Sequence, residues 1–393
     1  MINFIPVVLG GYINGFSIIR ELYDEDIKNI VLLDYGSSIS RYSNKVAEYH
    51  KIDRTPESLK SKLLELNSKY GNLVLYPTDD IQLELLNSIY NDIESFCFIP
   101  FNPINLVSCL DKNYQYDVCQ KFLIPFPRSI RASQVEDIVM GENLTFPLII
   151  KPSQRKDLST NVFRTLFIKD LMDYKKKKKL LVDYINHEIE FVISEFIPGD
   201  DTNIYAYTCF RGSDGKIYNE WVGKKLTQFP DEYGIFSSAS NEAPDIIFEQ
   251  GRKLVKALDL YGIVEPEFKY DYRDGQFKLM EVNLRSMMWH RVGNLSGVKL
   301  HKTQFDFATG KSVKLYEQER DKLIHFVLMQ HEVANLIARP GYFKHFKNNI
   351  FSGSELGWAV FDKRDLIPFF ASFWVGIKYG IKACLSRLKT TLN

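Results

Sequence analysis

The chain has 393 residues, of which 45% are hydrophobic and 25% charged, with a formal net charge of +1. Single cores stop growing at about 250–300 residues, so this length predicts two or three domains. The near-neutral balance excludes an overall field that would select nucleic acid, and five scattered cysteines with no C-x-x-C pair exclude a disulfide framework.

Cys97, Cys109, Cys119, Cys209 and Cys384 therefore read as reduced thiols of a cytoplasmic protein, and the seven histidines show no zinc-ligand spacing. The N-terminal "MINFIPVVLGGYING" is apolar but lacks a basic flank and a small-residue cleavage site, so a first buried strand is expected. Up to about residue 105, short apolar runs ("FIPVVLGG", "KNIVLLDYG", "NLVLYPTDD", "SFCFIPFN") alternate with helical patterns ("FSIIREL", "IQLELLNSI"). That alternation predicts a parallel sheet covered by helices. Gly10, Gly11 and Gly15 do not make a G-x-G-x-x-G loop, and a tight strand-to-helix turn accounts for them.

Asp111 is placed to cap a helix that ends before Pro125. "PLIIKP" (147–152) predicts a strand ending at Lys151, and Lys175 to Lys179 the wet face of a helix. "FVISEFIPGDD" reads as a strand entering a Pro-Gly turn, and 262–285 as two strands around "RDG". "FATGKSV" carries Gly310, Lys311 and Ser312, but Phe305 stands where a phosphate loop needs its first glycine.

The stretch "FKLMEVNLR" (277–285) poses the functional question. Strand alternation puts Phe277, Leu279, Glu281, Asn283 and Arg285 on one face. A solvated edge would explain such a row. Its partner "PEFKYDY" (266–272) leaves two registers open. A two-residue turn, Asp274 and Gly275, sets Glu281 against Phe268. A three-residue turn beginning at Arg273 sets Glu281 against Glu267. Opposed carboxylates repel, unless a hard cation lies between them. In that register the face becomes a magnesium platform, with Asn283 as a neutral oxygen ligand and Arg285 ready for an anion.

"FPLIIKP", "SEFIPGDD" and "EFKYDYRDGQFKLMEVNLR", in this order after an α/β segment, resemble the ATP-grasp superfamily of carboxylate–amine ligases. The resemblance runs from about residue 5 to 300. It is most similar to the D-aspartate ligase branch and to ATP-grasp proteins of surface-polysaccharide synthesis. It implies an α/β architecture: a Rossmann-like pre-ATP-grasp domain (1–105), a central subdomain (106–194), a C-terminal subdomain with the metal site (195–315) and a helical extension (316–393). It also implies that Lys112 and Lys151 hold ATP phosphates, that Glu195, Phe196 and Ile197 contact adenine, and that Asp201 accepts from ribose. Glu267, Glu281 and Asn283 would bind Mg2+, two ions or Mn2+ in their stead. Arg285 would stabilise the transferring phosphoryl group, and Lys225 a phosphate or substrate carboxylate. Two departures stand out: no glycine-rich loop follows Lys151, and Leu284 replaces the proline frequent after the metal asparagine.

Three functions compete. The first is an ATP-dependent ligase joining a small carboxylate to an amine through an acyl phosphate, in cell-wall or surface-polysaccharide synthesis. The second is a kinase that stops at phosphoryl transfer. The third is a nucleotide-binding module without turnover. The apolar run 366–377, followed by Lys378, Lys382, Arg387 and Lys389, is a helix packed on the core or one lying on an anionic leaflet. Contact through 366–389 would place the protein on the inner face of the membrane, near a lipid-linked or nucleotide-linked glycan precursor.

Overall fold

The computed structural model describes residues 4–36, 38–153, 162–230 and 234–374. The stretch following Lys151, where a glycine-rich loop would stand, lies mostly outside these residues, as do 375–393.

The N-terminal alternation forms a five-stranded parallel sheet in the order β3-β2-β1-β4-β5. Its strands are β1 (Phe4–Leu9), β2 (Val31–Asp34), β3 (Glu48–Lys51), β4 (Asn72–Pro77) and β5 (Cys97–Phe98). Both faces of β1 are covered, which is why it reads as a continuous apolar run. Ile5, Val7 and Leu9 pack with Leu59, Leu63 and Leu66, whereas Val8 packs with Ile18, Ile19 and Leu22 on the other side. Gly10 ends β1 at φ +89°, and a Cβ there would stand 2.3 Å from Thr78 Oγ1, so the turn requires glycine.

A four-stranded sheet follows, ordered β6-β9-β7-β8: β6 (Ser129–Ala132), β7 (Leu148–Pro152), β8 (Leu166–Ile168) and β9 (Phe191–Glu195). Between the first two sheets, Asp111 caps the helix Lys112–Lys121 by accepting from Asn113 N at 2.8 Å.

The third sheet has seven strands, ordered β14-β13-β10-β11-β12-β15-β16. They are β10 (Ile204–Arg211), β11 (Ile217–Phe229), β12 (Ile235–Ser240), β13 (Gly262–Asp271), β14 (Gln276–Asn283), β15 (Ile324–Val327) and β16 (Glu355–Trp358). One apolar cluster joins this sheet to the first, from Ile5 and Leu75 to Val264, Leu279 and Val282.

The segment after residue 316, expected to be helical, contributes β15 and β16 to this sheet besides the helices Met329–Ala338 and Phe343–Phe351. "LIHFV" is short and mostly apolar, with β-branched Ile324 and Val327, a strand signal hidden among helical neighbours. Glu332 pins the segment down. Its fully buried carboxylate accepts from Thr227 Oγ1, Ser237 Oγ, Ser238 Oγ and Tyr342 Oη at 2.6–3.0 Å. No described helix is long and apolar enough to cross a membrane. Residues 367–374 are helical; Phe369 packs inward, while Ile367 (62%), Phe370 (60%) and Trp374 (74%) are exposed.

Candidate active site

Glu267 and Glu281 are register partners in the β13–β14 hairpin, but the route differs from the expected turn. Asp271 pairs with Gln276, so four residues, 272–275, make the connection. Continued as a regular ladder, that register would set Glu267 against Met280. Instead the pairing jumps from Phe268↔Leu279 to Glu267↔Glu281, and Met280 is the extra residue of a β-bulge. The bulge also corrects the predicted face. Leu279 does not share Glu281's side; it is fully buried in the core with Val282 and Leu284, and Met280 joins Glu281 in lining a cleft.

That cleft has a volume of about 410 Å³ and lies between the four-stranded and seven-stranded sheets. Lys112, Lys151, Lys225, Glu267 and Glu281 line it, and so do Glu195, Phe196 and Ile197. Glu195 Oε1 accepts from Thr145 N at 2.9 Å, and Phe196 N donates to Pro147 O at 2.9 Å. Asp201 stands behind the lining: its two carboxylate oxygens accept from Gln228 N and Gln228 Nε2, each at 2.8 Å, and Gln228 faces the cleft. Arg285 is outside the lining too. Its Nε donates to Asp80 Oδ1 at 2.6 Å, and Asp80 reaches the cleft from the helix Asp80–Ser88.

The electrostatics divide the acids. Burial works against ionised Glu281, but Lys151, Lys112 and Lys225 outweigh it and hold the group below its ordinary value. Burial lowers Lys112, with Lys151 adding to the effect. Burial pushes Glu265 up to about 7, against the pull of Lys225. Glu267 is also raised, first by burial and then by Glu265 and Glu281, while Lys225 opposes. Lys225 itself is raised: burial works against its charge, and Glu267 more than compensates. The two partners thus pull in opposite senses. The 2.7 Å contact of Lys225 Nζ with Glu267 Oε2 in a buried site decides for an ion pair.

Glu267 and Glu281 are set against each other in the cleft, and opposed carboxylates repel unless a cation lies between them. Among the described residues no three His, Cys, Asp or Glu side chains form a closed metal cage. Magnesium needs none, because it takes one or two carboxylates and completes its shell with water and phosphate oxygens. The donor set Glu267, Glu281 and Asn283 fits that requirement.

Four residues of this region escape the sequence reading. Glu265 lies two positions before Glu267, so simple alternation would have placed it on the same face. Lys269, two positions after, is buried, lines the cleft and sits 4.9 Å from the Phe196 ring. Asp80 and His290 carry no local signal, since their contacts span 205 and 25 residues.

No family model matches the sequence. The chain is 23% identical over 322 residues to a D-aspartate ligase of Enterococcus faecium, covering 76% of this chain and 75% of that one. In fold it is similar to N5-carboxyaminoimidazole synthetase from Staphylococcus aureus complexed with ADP, at a TM-score of 0.64 and 16% identity over 87% and 86% of the two chains. It is also similar to biotin carboxylase from Campylobacter jejuni (TM-score 0.62, 13% identity, 80% and 73% covered). An L-amino acid ligase from Bacillus licheniformis gives a TM-score of 0.57 at 14% identity over 78% and 74%. Three sheets in this arrangement, with a basic and acidic cleft between two of them, are the fold that these likenesses show, in keeping with the ATP-grasp resemblance of the sequence.

Proposed function

We propose that the protein is an ATP-dependent ligase that joins a small carboxylate to an amine, using Mg2+. The observation that carries this reading is the opposition of Glu267 and Glu281 in one cleft with Lys112, Lys151 and Lys225. The D-aspartate ligase and the L-amino acid ligase to which the chain is similar support the reaction class. Neighbours crystallised with ADP, one with magnesium, support the nucleotide and the metal.

Amide formation from a free acid needs a better leaving group than hydroxide. The γ-phosphoryl group of ATP passes to the carboxylate, releasing ADP and leaving an acyl phosphate. The amine then attacks the acyl carbon, the C–O bond to phosphate breaks, and the amine gives up a proton. Positioning and charge neutralisation dominate phosphoryl transfer. Lys112 and Lys151 hold phosphate oxygens. Glu267, Glu281 and Asn283 hold the cation, which when bound neutralises charge on those oxygens. Arg285, steered by Asp80, stabilises the acyl phosphate. Lys225, released from Glu267, is free to meet a phosphate or the substrate carboxylate. Glu195, Phe196 and Ile197 take the adenine, and Asp201 the ribose once it turns from Gln228.

We place the reaction in cell-wall or surface-polysaccharide synthesis, with a lipid-linked or nucleotide-linked glycan precursor as acceptor. Ile367, Phe370 and Trp374 recur at helical spacing and are exposed, and four cations follow in sequence. Deleting 363–393 is expected to shift the protein from membrane to soluble fractions; unchanged partitioning removes this part of the proposal.

The reaction itself is tested by ADP release across amino acids and amino or uronic sugars, with mass spectrometry of the products. An amide with free phosphate is the expected result. A stable phosphate ester would make the protein a kinase instead, and magnesium-dependent nucleotide binding without ADP release would make it a binding module.

A further inference from the structure

Behind the acidic platform runs a buried polar chain that the proposed reaction does not use. Glu265 is fully buried on β13. Its Oε1 accepts from Asn283 Nδ2 at 3.3 Å, and the same nitrogen lies 3.5 Å from Glu267 Oε1. Glu265 Oε2 lies 2.6 Å from His290 Nε2 and accepts from Thr208 Oγ1 at 3.3 Å. His290 Nδ1 accepts from Met287 N at 3.1 Å, which leaves the ring proton on Nε2, pointing at Glu265. Ser286 Oγ bridges onward, 3.2 Å from His290 Nδ1 and 2.8 Å from His301 Nε2. His301 Nδ1 stands 2.6 Å from Glu21 Oε2, on the helix Ile13–Asp24. A continuous path therefore ties the first domain to Asn283.

The chemistry of the pair decides its role. A carboxylate can only accept, so Asn283 must turn its NH2 toward Glu265. The carbonyl Oδ1 then points the other way, and among the described residues no donor reaches it. Both oxygens of Glu265 are engaged in this internal network.

We propose that Glu265, held by His290, is a positioning residue that fixes the Asn283 amide with its carbonyl oxygen toward the cation bound by Glu267 and Glu281. This inference rests on the metal reading above.

The test uses the full chain, Mn2+ as the probe, a non-hydrolysable ATP analogue, and electron paramagnetic resonance to count free Mn2+. Glu265→Gln is expected to weaken Mn2+ binding about tenfold or more, the usual range for residues that orient a ligand. The amide introduced there must spend its carbonyl on His290, and its NH2 then turns the Asn283 amide around. Adding Asn283→Asp should restore binding to within about threefold, because an aspartate accepts from that NH2. If the wild type binds no Mn2+, the metal reading itself falls. If the wild type binds and Glu265→Gln binds equally well, the positioning role falls and the metal reading stands. A double variant as weak as the single one also overturns the role. Should Glu265→Gln fail to fold, His290→Gln, which keeps an N–H for Glu265, is expected near wild-type affinity. His290→Leu is then expected to lose about tenfold; equal loss in both overturns the role.

Discussion

Glu332 and the Glu267–Glu281 pair are both buried acids against the seven-stranded sheet, yet their surroundings differ in kind. Glu332 is saturated by hydroxyls of Thr227, Ser237, Ser238 and Tyr342 and is not among the residues lining the cleft. Glu267 and Glu281 face each other, lean on lysines and open onto a cavity. An acid whose lone pairs are all filled by fixed neutral donors holds structure. Acids that oppose each other across an open cavity hold a place for a ligand. The contrast gives a rule for reading buried charge: ask what would complete it.

The largest expected break in this comparison is at the cleft. Glu281→Gln and Arg285→Ala should each lower turnover about a thousandfold, equivalent to ~4 kcal/mol of transition-state stabilisation, with the melting temperature nearly unchanged. Wild-type ADP release from both would remove the basis of the metal site. Glu332→Ala should do the reverse, lowering stability by about 2–3 kcal/mol because buried hydroxyls lose their acceptor. Its ADP release per folded molecule should match wild type, as measured by denaturant titration beside a turnover assay.

A smaller effect sharpens the nucleotide end. Asp201→Ala should raise the ATP KM about tenfold, the worth of one charge-assisted hydrogen bond, with little change in kcat. An unchanged KM would leave Asp201 as a partner of Gln228 alone.

The smallest effect lies in the N-terminal domain. Lys69 and Tyr70 hydrogen-bond Glu48 and pull it down to about 2. A depressed acid stabilises the fold above its unfolded value near 4.5, and that contribution is lost as pH falls toward about 2. Glu48→Gln should therefore cost under about 1 kcal/mol at neutral pH, since the site is partly solvated, and the gap should close by about pH 2. Denaturation curves at stepped pH would check it; a gap that widens on acidification refutes the assignment.

Much of this was legible in the chain. Apolar runs at regular spacing pointed to the parallel sheet, and Asp111 announced its helix. The clash of two like charges across a hairpin pointed to the platform because repulsion needs a counter-ion wherever it persists. What stayed hidden depended on distant partners or on local irregularity. Asp80 meets Arg285 only after the first and third sheets have assembled. The engagement of Asp201 by Gln228, 27 residues on, has no local mark. β15 and β16 join the sheet from a region whose composition reads as helical.

The bulge at Met280 has a consequence for how this hairpin can vary. Leu279 and Val282 are both anchored in the core, one on each side of the extra residue. The phase of Glu281 and Asn283 is thus reset beyond the bulge and does not depend on how the chain reverses at 272–275. The tip is insulated from the chemistry, so insertions there should be tolerated, and deleting Met280 alone would leave a regular ladder that still sets Glu281 against Glu267.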